Sequence, residues 1–226
     1  MTGRTAAAVL GVDLTRRDEP VHLVVDEADR FDPVPGIEVK RTSLTARDWR
    51  PGPFSRIATP PRLGFDVARG SDLRRSVAEL DALVRAGSLD LDGLRRYLVG
   101  RREHGVRAAR AAAALCDPRA ESIPESEVRV TLVQGGFRVT PQVRVVDQDG
   151  VVCRADLEVD GLMVAIQYDG AWHALREQLQ RDRAVLARVR DAGWELVHLT
   201  AEDNAGDPRA LCDKVRRACA RAAHRP

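Results

Sequence analysis

The chain has 226 residues, 44% of them apolar, with a formal net charge of +2. That length suits one large domain or two small ones. The near-neutral balance gives no global argument for nucleic acid, and no run of 18 apolar residues exists to span a membrane. Only two of the 36 cations are lysine, Lys40 and Lys214. Arginine suits bidentate phosphate contacts, although codon bias produces the same excess. Cys116, Cys153, Cys212 and Cys219 form no CxxC pair, which argues against a structural zinc site and fits a reducing cytoplasm. The opening MTGRTAAAVLGVDL has too short an apolar run for a secretory signal.

Two short strands are expected first, Val21 to Asp26 and Ile37 to Arg41, separated by the turn-rich FDPVPG. His22 lies in the first of them and reads as structural or surface. The proline-rich Arg50 to Phe65 is expected to be irregular. Residues 71–117 read as three helices. Ser71 or Asp72 caps the first, whose Val77, Leu80 and Val84 share a face up to the stop at Gly87. Asp90 caps the second, with Leu91, Leu94 and Leu98 inward, and Gly105 precedes the third. Arg95, Arg96, Arg101, Arg102, Arg107 and Arg110 make this region basic. It is either a phosphate-contacting surface or a solvated helix face.

Residues 117–124 break the helical pattern and mark a boundary, giving an α+β part over 1–120 and a second domain over 121–226. Ser122 to Glu125 fits a capping box opening a helix that runs past Val128 and Leu132 to Gly135-Gly136. Glu125 thus has a structural role available. A strand from Phe137 to Asp147 then turns at Asp149-Gly150 into a hairpin over 151–173. Asp160-Gly161 reads as a two-residue type I′ turn. Alternation puts Cys153, Ala155, Leu157, Val159, Leu162, Val164, Ile166 and Tyr168 on a buried face. Arg154, Asp156, Glu158, Ala165, Gln167 and Asp169 take the open one. Pairing Val159 with Leu162 sets Asp156 opposite Ala165 and Arg154 opposite Gln167. Asp156 and Gln167 are then diagonal neighbours, roughly 6–8 Å apart at Cβ. A Mg²⁺ ion fits between oxygen-bearing side chains at that spacing; the same alternation also describes the wet side of an ordinary hairpin. Gln142, or its neighbour, lies beside Asp156. A helix over about 174–191, with Leu175, Leu179, Leu186 and Val189 as its stripe, leads to a strand from Trp194 to Thr200 and a last helix over about 207–223. The order implies a mixed sheet with helices on both faces.

Pro124-Glu125-Ser126 with Arg129, the strand carrying Gly136 and Pro141-Gln142, Arg154-Ala155-Asp156, Gln167-Tyr168-Asp169-Gly170, His173, and Gly193-Trp194 onward to Thr200 and Asp203 together resemble the PD-(D/E)XK nuclease superfamily. More narrowly they resemble very-short-patch-repair-like endonuclease domains. The resemblance covers 121–226. It implies an α/β, restriction-endonuclease-like fold, DNA as partner, Mg²⁺ (or Mn²⁺) as cofactor, and Mg²⁺-dependent DNA cleavage. Residue by residue, it makes Asp156 the metal-binding aspartate and sets Gln167 at the third-strand acidic position. Glu125 becomes the helix acid, and His173 a proton-transfer or phosphate-contacting residue that could equally pack at a helix start. Arg154, Gln142 and Asp169 lie at the nucleic-acid side. Two departures stand out. Asp169 occupies the position of the superfamily's lysine, and Gln167 replaces a glutamate, removing a full charge and implying weak metal binding and weakened or lost cleavage. Residues 1–120 are similar to the region preceding such domains in abortive-infection antitoxin-family proteins, whose usual winged helix would be missing or reduced here. That implies a second reading: a non-catalytic, antitoxin-like or regulatory protein using the fold to bind DNA, a toxin or another protein.

Overall fold

The computed structural model describes residues 1–15, 18–53, 55–169 and 176–224. The chain is mixed α/β and divides into two compact units, Met1–Pro118 and Arg119–Pro226. Among the described residues no helix is long and apolar enough to cross a membrane.

In the first unit, helix α1 (Gly3–Val9) precedes strands β1 (Val21–Val25) and β2 (Ile37–Arg41), which pair in parallel. The proline-rich stretch is not irregular. It forms an antiparallel pair, β3 (Trp49–Pro51) and β4 (Arg56–Ala58), and then helix α2 (Pro60–Ala68). Pro60 and Pro61 occupy the first turn of α2, where the missing N–H has no intrahelical partner to lose. Helix α2 packs against α3 (Leu73–Arg85), α4 (Leu91–Leu98) and α5 (Val106–Leu115). Asp72 and Asp90 cap α3 and α4 through their carboxylates, as expected from the sequence. Leu63 and Phe65 of α2 are fully buried, and so is Arg62. The Arg62 guanidinium is held by Asp66 one turn on, with Nε to Oδ2 at 2.8 Å and Nη2 to Oδ1 at 3.1 Å. The Thr2 hydroxyl also donates to that carboxylate.

In the second unit, α6 (Ile123–Gln134) leads into a four-stranded sheet of order β5 (Val139–Asp147), β6 (Gly150–Val159), β7 (Val164–Asp169) and β8 (Glu195–Thr200). The first two pairings are antiparallel and the last is parallel. Helix α7 (Arg176–Asp191) connects β7 to β8, as a parallel crossover requires. The short α8 (Ala201–Ala205) and α9 (Pro208–Ala223) complete the unit. One face of the sheet, with Leu157, Ile166 and Leu199, packs against Val128 and Leu132 of α6 and Leu211 and Val215 of α9. On the other side Val145, Ala155 and Ala165 pack with Val189 of α7 and Trp194. Helix α6 meets α9 closely at Gly135, where an added Cβ would lie 2.5 Å from Cys212 Sγ.

Several expectations are corrected. The β6–β7 turn has four residues, 160–163, because Val159 pairs with Val164. A type I′ turn needs positive φ at both Asp160 and Gly161; only Gly161 (+78°) has it, and Met163 (+47°) supplies the second left-handed residue. The register therefore slides by two, which preserves the facing of each strand but leaves Leu162 exposed in the turn. Ala165 is buried rather than open, because α7 covers that face. Leu186 is exposed, and Val185 packs in its place. Leu175, and the side chain of Leu179, lie outside the described residues. The four cysteines are free thiols.

Replacing Asp66 with Ala removes both short hydrogen bonds of the fully buried Arg62 guanidinium and leaves it the longer 3.6 Å approach of Glu103, and breaking a buried pair costs about 3–5 kcal/mol. Urea unfolding of Asp66→Ala should show a loss of that size in the first unit's transition. A loss below about 1 kcal/mol, the level of an exposed pair, would contradict the assignment of this pair to the unit's centre.

Candidate functional site

The expected site residues converge where regular pairing stops. The β6–β7 ladder ends at Leu157↔Ile166. One step further the Asp156 carboxylate, rather than a carbonyl, takes the N–H of β7: Tyr168 N donates to Asp156 Oδ2 at 2.7 Å. The Gln167 amide Nε2 donates to the same oxygen at 2.9 Å. Asp156 and Gln167 are thus in direct contact, closer than the diagonal spacing expected from a two-residue turn. Oδ1 of Asp156 accepts no protein hydrogen bond among the described residues.

Strand β5 is irregular at the same level. Pro141↔Leu157 and Val143↔Ala155 bracket Gln142 opposite Asp156. Gln142 has φ +57°, a left-handed conformation costly for a side-chain-bearing residue. Around it the strands change partners. Val139 packs with the α6/α9 cluster and Val143 with the α7 cluster, although an even spacing keeps one face in a regular strand. Ala155 and Leu157 are divided between the clusters in the same way. The break turns Gln142 towards the start of α6, where its Nε2 donates to Glu125 Oε2 at 3.0 Å. Its Oε1 is buried without a hydrogen-bond partner.

Glu125 only half fulfils the capping box. Ser122 Oγ accepts the Glu125 N–H at 3.3 Å. The Glu125 carboxylate accepts from the N–H of Glu121, one residue before the cap, at 2.9 Å. Glu125 is thereby shared between the helix start and the site.

Burial pushes the half-buried Asp156 carboxyl up to about 6, and the nearby Glu125 and Glu121 charges add to it; the Tyr168 N–H and Arg154 oppose the rise. Among the described residues no three His, Cys, Asp or Glu side chains converge on a metal site. Oxygen atoms of the kind a hard divalent cation takes are nonetheless present at this break. Asp156 offers Oδ1, Gln142 has an orphaned oxygen, and half a turn of the Gln167 amide exchanges its nitrogen for oxygen at the same place.

Arg154 does not face Gln167. It is the Cα partner of Arg144, and its Nη2 lies 2.5 Å from Glu121 Oε2. Asp169 binds His198 Nδ1 at 2.9 Å, and His198 is the register partner of Gln167 in β8. Sequence reasoning passed over His198 because it sits inside an apolar strand; its odd position among Val197 and Leu199 is the signal that it points away from the core. His173 lies outside the described residues. The arginines of the first unit are largely engaged: Arg95 with Asp92, Arg96 with Asp90, Arg101 with Asp48 and Glu103, and Arg110 with the Leu98 and Arg101 carbonyls. Arg102 and Arg107 remain exposed.

Two proteins of Mycobacterium tuberculosis, from strain CDC 1551 / Oshkosh and strain ATCC 25618 / H37Rv, both described as uncharacterised, are each 29% identical to this chain over 217 residues. The match covers 94% of this chain and 78% of each relative, so the likeness spans both units. No protein-family model matches the chain. No solved structure matches it significantly.

The raised Asp156 pKa has a definite sign in stability. A carboxyl near 6 in the folded chain and near its ordinary value of 3.8 when unfolded contributes stability that is full below about pH 4 and lost as pH rises through 6. In metal-free buffer, Asp156→Asn should therefore melt higher than wild type at pH 7.5, with the difference vanishing near pH 4. Parallel melting curves across that range would contradict the buried, charge-crowded environment of Asp156.

Proposed function

We propose that the second unit is a PD-(D/E)XK-type, restriction-endonuclease-like domain that acts on DNA through a weakened Mg²⁺ (or Mn²⁺) site. The observation that carries this reading is the contact of Asp156 with Gln167 at the point where β6 and β7 part, with Glu125 of α6 brought close through Gln142. The order helix, three antiparallel strands, helix, parallel strand, helix supports it.

In this reading Asp156 and Gln167 hold the metal. When bound, Mg²⁺ supplies positive charge at a phosphodiester and lowers the pKa of water. Glu125 and Gln142 flank that position and orient polar groups towards it. Asp156 serves as a ligand only when ionised, so metal-dependent activity should rise with pH through about 6. Gln167 contributes a neutral amide, which leaves the site one negative charge short of a two-carboxylate pair. Asp169 fixes the tautomer and direction of His198 by taking its Nδ1 side.

A second reading, a non-catalytic regulatory or antitoxin-like protein, is favoured by one observation: the Gln167 amide presents N–H, not oxygen, to Asp156. In that arrangement the amide itself satisfies the carboxylate, and the fold serves to bind DNA or a protein partner.

Plasmid, mismatched duplex and single-stranded DNA incubated with Mg²⁺ or Mn²⁺ separate these readings. Wild-type cleavage that Asp156→Ala abolishes by 100-fold or more (about 3 kcal/mol of barrier) is the expected result for an active site. Cleavage confined to Gln167→Glu identifies a decayed site on an intact scaffold. No cleavage by wild type, Asp156→Ala or Gln167→Glu on any substrate overturns the nuclease reading in favour of the second.

A further inference from the structure

Arg144 on β5 and Arg154 on β6 are directly opposite in an antiparallel ladder, so their side chains leave the same face side by side. Like charges in this arrangement destabilise a sheet. Glu121 compensates one of them, with its Oε2 2.5 Å from Arg154 Nη2. Arg144 is exposed, with no ion pair or side-chain hydrogen bond among the described residues. The ladder thus sets two guanidinium groups side by side and supplies a carboxylate to only one of them among the described residues.

The position of the pair indicates which anion it would hold. Arg154 lies two residues from Asp156, and Arg144 two residues from Gln142, about 6–7 Å along each strand. The cations therefore sit beside the carboxylate site rather than in it. Guanidinium groups bind phosphate oxygens in bidentate fashion, with charge-assisted hydrogen bonds. Both members of the resident pair are about half exposed, at 54% for Arg154 and 49% for Glu121. An exposed pair of this kind contributes little to stability, so a strand phosphate can replace it.

We propose that Arg144 and Arg154 form a clamp for one backbone phosphate of a DNA strand entering the Asp156 site, and that Glu121 is a resident carboxylate displaced when the strand binds. The proposal rests on the DNA-acting reading of the second unit and adds to it the strand contact and a built-in competitor. Glu121 sits just before α6 and donates its own N–H to Glu125. Displacing its side chain therefore occurs next to the group that borders the site.

Fluorescence anisotropy of a labelled duplex and of a labelled single strand, in metal-free buffer with chelator, tests the clamp on the full chain. Wild type, Arg144→Ala, Arg154→Ala, Glu121→Gln and the double variant Glu121→Gln/Arg154→Ala are compared from about 50 to about 200 mM salt. Each arginine variant should lower the steepness of log K against log salt by about one phosphate's worth, making the loss of affinity over that range about three- to fourfold smaller than in wild type. Glu121→Gln should tighten binding severalfold, and the gain should disappear in the double variant. Arg144→Ala should melt no lower than wild type, since it relieves a like-charge pair, which separates a lost contact from a lost fold. Wild-type slopes in both arginine variants, or unchanged affinity in Glu121→Gln, overturn the clamp while leaving the metal-site reading to its own cleavage test. Absence of DNA binding by wild type overturns the clamp as well.

Discussion

The site depends on one substitution in the hydrogen-bond pattern of a sheet: a carboxylate standing where a backbone carbonyl would be. Asp156 accepts the N–H of Tyr168 at 2.7 Å, so β6 and β7 part without leaving a donor unsatisfied. The same oxygen receives the Gln167 amide, which fixes the third-strand side chain against the second. On the other flank the left-handed Gln142 lets β5 roll, so its side chain reaches Glu125 at the start of α6. Polar groups from three strands and one helix are thus gathered at a break in the ladder, and the apolar clusters on both faces of the sheet hold that break in place. Backbone held in such a conformation persists only where the surrounding packing over-determines it.

Charge is handled differently in the two units. In the first, arginines are consumed internally: Arg62 lies fully buried against Asp66, and Arg101 ties Asp48, whose carboxylate also takes the Tyr97 hydroxyl and the N–H of Thr45. Burying such groups is tolerable only when each is paired and hydrogen-bonded. In the second, the ion pairs lie at exposed or half-exposed positions, as with Arg154 and Glu121, while Asp156 is half-buried with two amide donors, and burial pushes its carboxyl up to about 6. One arrangement serves a stable interior. The other leaves a half-buried carboxylate at the break in the sheet, one oxygen of which accepts no protein hydrogen bond among the described residues.

Much of the second unit was legible in the sequence because its signals are local. Alternation over 151–169, the Ser122 cap and the glycine stops after α6 and α7 dictate elements almost independently of context. The two-residue slip at Asp160-Gly161 was not legible, because Met163 adopts a left-handed conformation that composition does not announce. Parity survived that slip, so Asp156 and Gln167 were still brought together, although by direct contact instead of a diagonal. The face change at Gln142 and Asp156 was invisible because it interrupts the alternation from which facing is read. A two-residue turn sets Arg154 opposite Gln167, whereas in the observed register its partner is Glu121, from the linker before the helix. In the first unit, helix α2 is hidden in the sequence because its prolines read as breakers, although they stand at its first turn, where they are tolerated.

We propose that Asp156 and Gln167 form an oxygen site for a divalent ion, weakened by one missing charge. Titration of Mn²⁺ followed by electron paramagnetic resonance of the free ion tests it without reference to any substrate. One weak site is expected in wild type, with its loss in Asp156→Asn and at least tenfold tighter binding (about 1.4 kcal/mol) in Gln167→Glu. Equal Mn²⁺ binding, or none, in all three proteins would contradict it.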